Sequence, residues 1–220
     1  MAALPDRAPA PTGPSGPSGP LAGTTVIDLS TVGPASRCTR ILADYGAAVV
    51  KVAPVPGRGQ APVEPPAFAY SGGRGFRRAR IDLKDEDGRE AFLALVATAD
   101  VVVESFRPGT LERLGLAYDQ LASVNPRLVL CSTTGYGQDG PRRGWAGHDL
   151  DYLAVGGYLG ACEPRADGGP PLPGATVADA AAGGMQAAVA VLTALLGRGA
   201  EGPGTHLDVS VADGVLWLMS

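Results

Sequence analysis

Only two histidines occur in this chain of 220 residues, and one of them, His148, stands in Gly147-His148-Asp149-Leu150-Asp151-Tyr152, a glycine-led turn rich in carboxylates. A further carboxylate, Asp179, opens a run of small residues, Ala180 to Gly184, 31 positions later. An imidazole and a carboxylate brought to one pocket can take a proton from a substrate and give it back. The small residues after Asp179 would leave room for a ligand against the helix they form. Each residue also has an ordinary role open to it. Asp179 suits the first turn of a helix, and His148 suits a structural turn. His206 falls in an expected strand and reads as structural.

The elements that must position these groups read from hydrophobic periodicity. Thr25 to Leu29 and Ala48 to Val52 read as buried strands, separated by a helix over Ala35 to Tyr45 that Gly46 ends. Pro54 to Gly75 reads as loop and Arg80 to Leu83 as a short strand. An amphipathic helix over Asp85 to Ala99 follows, with acids in its first turn. Asp100 to Glu104 and Arg127 to Ser132 are strands, with short helices over Pro108 to Leu114 and Tyr118 to Val124 between them. Gly144 to Gly174 reads as irregular. A small-residue helix over Ala178 to Leu196, a strand over Thr205 to Val211 and a helix from Asp213 complete the chain. Strands alternating with helices predict an α/β fold, a Rossmann-like, doubly wound, mostly parallel sheet. Residues 1–20 are rich in Pro, Gly, Ala and Ser and predict a disordered lead-in, with one domain over 21–220.

Composition narrows the chemistry. The net charge of −4 excludes binding of nucleic acid by overall charge. The three cysteines, Cys38, Cys131 and Cys162, have no metal-ligand spacing, so a metal site and a disulfide framework are both unexpected and a cytoplasmic location is expected. No apolar run behind a basic start suggests a secretory leader, and the most apolar stretch, Ala187 to Leu196, is too short to span a membrane. The first strand is followed by Ser30-Thr31-Val32-Gly33-Pro34, which lacks the glycines of a dinucleotide-binding turn. Walker A and GxSxG sequences are absent too.

Anion binding is better supported. Open α/β sheets bind ligands beyond the carboxyl ends of their strands. Three loops are expected there: Val32-Gly33-Pro34, Ser105 to Gly109, and Thr134 to Gly137. Arg74, Arg77, Arg78 and Arg80 fall within seven residues, and Arg forks suit phosphate oxygens. The same run also suits a solvated face.

Several ordered motifs then carry a resemblance. Val26-Ile27-Asp28-Leu29, Leu42-Ala43-Asp44-Tyr45-Gly46-Ala47-Ala48-Val49-Val50-Lys51-Val52, Asp82-Leu83-Lys84, Asp100 to Gly109, Asn125-Pro126-Arg127-Leu128 and Thr134 to Pro141 resemble family III CoA-transferases from about residue 20 to 220. The His148 turn resembles the α-methylacyl-CoA racemase branch, and Asp179 falls on the position that racemases and transferases share. The resemblance implies His148 and Asp179 as catalytic residues. It implies coenzyme A, as part of an acyl-CoA substrate and not as a prosthetic group, against Gly33, Pro34, Arg74, Arg77, Arg78, Ser105, Phe106, Arg107, Arg113, Thr134, Gly135, Tyr136, Gly137, Gly147, Asp149 and Tyr152. Arg107 and Arg113 are the expected phosphate ligands.

The implied activity is 2-methylacyl-CoA racemisation. The alternatives are CoA transfer through Asp179 as a covalent nucleophile, and an inactive or split CoA-binding fragment. Two departures stand out. Lys51-Val52-Ala53-Pro54 departs from the acid followed by Arg or Pro that the family usually carries there, which implies a lost contact to the nucleotide end of coenzyme A, with Arg58 or Arg74 as the candidates to replace it. Family members are also roughly twice as long and pair as interlocked dimers, so a homodimer or a complementary C-terminal half is expected as partner.

Overall fold

The computed structural model describes residues 18–30, 33–55 and 72–220. Most of the expected lead-in, and Arg58, lie outside the described residues. The elements are β1 (Thr25–Asp28), α1 (Pro34–Asp44), β2 (Ala48–Ala53), β3 (Arg77–Arg80), α2 (Glu86–Val96), β4 (Val101–Glu104), α3 (Thr110–Arg113), α4 (Tyr118–Val124), β5 (Val129–Thr134), α5 (Asp149–Val155), α6 (Tyr158–Ala161), α7 (Ala178–Arg198), β6 (Thr205–Ser210) and α8 (Val211–Leu218).

Six strands pair in the order β3-β2-β1-β4-β5-β6, and every pairing is parallel. This is the doubly wound sheet the alternation predicts, and it is parallel throughout. Chain order reverses between β1 and β4, which opens a crevice at their carboxyl ends. β4 and β5 are buried along their whole length, as both faces of a parallel sheet require. One core lies beneath α1 and α7, built on Val26, Val49, Val101, Val103 and Cys131. The other lies beneath α2, α3 and α4, with Phe92, Leu116, Leu121 and Leu130 fully buried. All three cysteines are free thiols.

A buried polar node ties the first crossover together. Asp28, wholly inaccessible at the end of β1, accepts hydrogen bonds from Ser30 N (2.8 Å), Ser30 Oγ (2.6 Å), Thr39 Oγ1 on α1 (2.9 Å) and Lys51 Nζ on β2 (3.1 Å). A buried charge is tolerated only when so satisfied.

Three local differences from the sequence reading have physical causes. The third strand is Arg77–Arg80, three residues earlier than periodicity suggests, because pairing with Val50 to Ala53 overrides a weak apolar signal on an edge strand. The glycine-rich stretch from Gly144 to Gly174 is not wholly irregular, since it contains α5 and α6. Ala178–Met185 is wound as a π-helix before α7 continues as α-helix over Gln186–Arg198.

The small residues of α7 also have another use than leaving space. A Cβ on Gly183 would come within 2.6 Å of Pro34 Cβ, and one on Gly184 within 2.5 Å of Arg37 Cβ. Across the other side, a Cβ on Gly214 of α8 would meet Ala182 O at 2.2 Å. These glycines let three helices approach backbone to backbone.

Taken as one helix, α7 has 21 residues and is long and apolar enough to cross a membrane by length and composition, more than the sequence reading allowed it. It contacts α1, α8, β5 and β6, while Met185, Val189 and Leu196 on it are exposed. On α8, Leu216, Trp217, Leu218 and Met219 are exposed. Replacing Lys51 with Met should strand the Asp28 carboxylate without its cation and cost about 3–5 kcal/mol of stability. Chemical denaturation would measure this, and an unchanged midpoint would refute the role given to the node.

Candidate active site

The site assembles where α5 and the start of α7 meet α1. Tyr152, Leu153, Ala178, Ala182, Val211 and Val215 form a buried cluster that clamps α5, α7 and α8 together. His148 is the N-cap of α5, and its backbone N–H donates to Asp151 Oδ2 at 2.8 Å, one arm of a capping box. The side chain of the next residue reaches across to α7: Asp149 Oδ1 accepts from Asp179 N at 2.9 Å. A single step along the backbone from His148 therefore fixes the position of Asp179.

The electrostatics follow from that join. Partial burial pushes the Asp179 carboxyl above its ordinary value, and the neighbouring Asp149 carboxylate pushes it further. His148 and Arg37 lie within electrostatic reach and pull it back down. Burial raises Tyr152 to about 12, with Asp179 the next cause. The Tyr152 hydroxyl donates to Gly147 O, and its ring lies edge-on to Tyr136 at 5.4 Å. Side chains at Gly135 or Gly147 would strike that ring, at 2.6 and 2.7 Å respectively. The glycines of the two expected ligand loops thus make space for a tyrosine that shapes the turn. Asp149 and Tyr152 are both buried, and the contacts they make are to the chain itself.

The structure brings several expected residues to the carboxyl edge. Gly33, at φ +80°, precedes Pro34 at the N-terminus of α1. Ser105, Phe106 and Arg107 leave β4, and Arg113 ends α3 with its guanidinium on Thr110 Oγ1 at 2.8 Å. Thr134 to Gly137 leave β5. Thr134 Oγ1 is buried without a hydrogen-bond partner among the described residues.

The arginine cluster is not gathered there. Arg74 pairs with Asp44 at 2.7 Å, at the end of α1 remote from Pro34 and so about 15 Å along the helix. Arg77 and Arg78 are consecutive in β3, with side chains on opposite sheet faces, and β2 separates them from β1. They do not form one patch with Gly33 and Arg107.

The sequence reading passed over two groups. Arg37 is exposed on the first turn of α1, packed over Gly184 and within reach of Asp179. Its signal was a cation in a helix turn whose dipole favours acids. Glu104, at the end of β4, is the other, and nothing in its apolar strand context marked it.

Among the described residues no group of His, Cys, Asp and Glu side chains could hold a metal ion. What converges instead is an exposed imidazole, a carboxyl raised above its usual range, a nearby guanidinium and loops at the carboxyl edge.

The profile of CoA-transferase family III matches residues 21–220. The chain belongs to CoA-transferase family III. Acetyl-CoA:oxalate CoA-transferase from Acetobacter aceti is 38% identical over 201 residues, covering 88% of this chain and 51% of that protein. Human alpha-methylacyl-CoA racemase is 35% identical over 203 residues, covering 91% of this chain and 50% of its own length. Rv3272 from M. tuberculosis superposes with a TM-score of 0.82 at 35% identity, over 92% of this chain and 56% of that one. A CAIB/BAIF family protein from Brucella suis gives 0.81 at 32% identity, with the same coverages. This family III chain spans about half the length of these relatives.

If Asp149 and Arg37 tune Asp179 as described, Asp149→Asn should lower the Asp179 pKa and Arg37→Ala should raise it. Carboxyl-carbon NMR titration reads both. Shifts of the opposite sign would show that other charges control the site.

Proposed function

We propose that this chain belongs to an acyl-CoA enzyme that racemises a 2-methylacyl-CoA by moving its α-proton between Asp179 and His148. The observation that carries this reading is the pairing itself. A carboxyl raised above its ordinary value lies within electrostatic reach of an exposed imidazole, and Asp149, next to His148 in the chain, accepts a hydrogen bond from the Asp179 amide. A proton carrier working in both directions needs a pKa near the working pH, toward which burial and a like charge push Asp179.

The thioester carbonyl acidifies the α-hydrogen. One group takes the proton from one face of C2, leaving an enolate. The conjugate acid of the other returns a proton to the opposite face, and the two groups exchange protonation states. Arg37 lies beside Asp179 to offset the negative charge that gathers there. Coenzyme A would lie along the carboxyl edge, with its phosphates at Arg107 and Arg113. A cytoplasmic location and a homodimer, or a complementary second half, belong to the same proposal.

A second reading has its own support. Arg37 favours the ionised form of Asp179, the form a nucleophile needs. Attack on an acyl-CoA would join the Asp179 carboxylate to the acyl carbon and expel CoA thiolate; an acceptor carboxylate would open the mixed anhydride at the Asp179 carbonyl carbon, releasing the donor carboxylate, and CoA thiolate would then attack the acceptor's acyl carbon, forming the new acyl-CoA and restoring the Asp179 carboxylate.

In heavy water the protein should place deuterium at C2 of a 2-methylacyl-CoA. His148→Ala and Asp179→Ala should each slow this by about 10²–10⁴-fold. Exchange that survives both substitutions refutes the proton-transfer assignment. Hydroxylamine separates the readings: trapping at Asp179 after exposure to an acyl-CoA, without deuterium uptake, would establish transfer.

A further inference from the structure

On the sheet face away from α1, Glu104, Ser132 and His206 form a polar line across three strands, in a narrow cleft that Arg107 also borders. Glu104 Oε2 accepts from Phe106 N at 2.6 Å. Ser132 pairs with Glu104 in register, and its Oγ lies 2.9 Å from His206 Nε2. His206 is exposed at its outer end and stacks on Tyr118 at 5.7 Å.

The geometry points to Glu104 as a positioning residue: its carboxylate holds the Ser105–Arg107 loop by the Phe106 amide, and protonation of that carboxylate switches the contact. The inference rests on the reading of Arg107 as a ligand for CoA phosphates. With Glu104 ionised, Phe106 N–H and Ser132 both favour the carboxylate, and Ser132 Oγ is joined in turn to His206 Nε2. Protonation neutralises Glu104, and the Phe106 amide is left facing a weaker acceptor.

The charges around the line set the range. Burial pushes Glu104 up to about 7, and Glu112 on α3 and Asp208 on β6 add to this, against Ser132 and Phe106. Burial lowers His206, while Asp208 and Glu112 raise it. Burial and Asp119 raise Tyr118. The remaining charge bordering the cleft is the Arg107 guanidinium. Because Glu104 is raised in the fold, its ionisation lowers stability as pH rises through about 7, while the same ionisation orders the loop.

The test uses the whole chain, with CoA as the probe. In the free protein the Phe106 amide resonance should titrate with a midpoint near 7, and Glu104→Gln should abolish that step. Between pH 8 and pH 6, CoA affinity should fall on the order of tenfold, the size of one charge-assisted hydrogen bond. Glu104→Gln should remove most of that fall, and because CoA's own phosphates titrate equally with both proteins, the comparison isolates Glu104. His206→Gln should keep the Phe106 step but shift its midpoint.

A Phe106 amide that does not titrate, or a step that persists in Glu104→Gln, overturns the inference. Titration of Phe106 with an equal pH dependence of CoA affinity in both proteins overturns the link to Arg107. If CoA fails to bind at any pH, the CoA-binding reading fails, and the Phe106 signal still decides the role of Glu104. Should Glu104→Gln not fold, Ser132→Ala provides the second variant, with a displaced Phe106 midpoint expected.

Discussion

The Asp28 node is the constraint on which the rest of the structure depends. One buried carboxylate joins the end of β1 to β2 through Lys51 and to α1 through Thr39. With α1 held in that pose, its first turn presents Pro34 and Arg37 to Gly183 and Gly184 of α7. The position of α7 determines where Asp179 stands. Satisfying one buried charge thus fixes helix placement some residues away.

The site is built by the same economy of contact. Asp149 performs two tasks through different physics: its oxygen holds the Asp179 amide, and its charge disfavours ionisation of the Asp179 carboxyl. Geometry and proton affinity are therefore set by one side chain, and neither can be changed alone by removing it. Tyr152 is the complementary device on the apolar side, filling the space that Gly135 and Gly147 leave.

Much of the fold was legible because parallel strands buried on both faces leave short continuous apolar runs, as over 101–103 and 128–131. The edge strand Arg77–Arg80 was misplaced because three arginines carry no burial signal, and pairing to β2 decided it. His148 and Asp179 were legible as residue types at a spacing, but Asp149 as their connector was not. Its role exists only once α5 and α7 touch. Glu104 and Arg37 were hidden for the same reason: their environments are contributed by other strands and helices.

Asp179 lies in the π-wound opening of α7, where each turn takes in more residues than an α-helix would. An α-helix rotates about 100° per residue. Wound as an ordinary helix, with i→i+4 closures in place of i→i+5 and Gly183 and Gly184 still docked, the same residues would carry Asp179 around the axis away from Asp149. At this segment the winding, as much as residue identity, encodes the site: the same residues in ordinary helical turns would keep the dock at Gly183 and Gly184 and part Asp179 from Asp149.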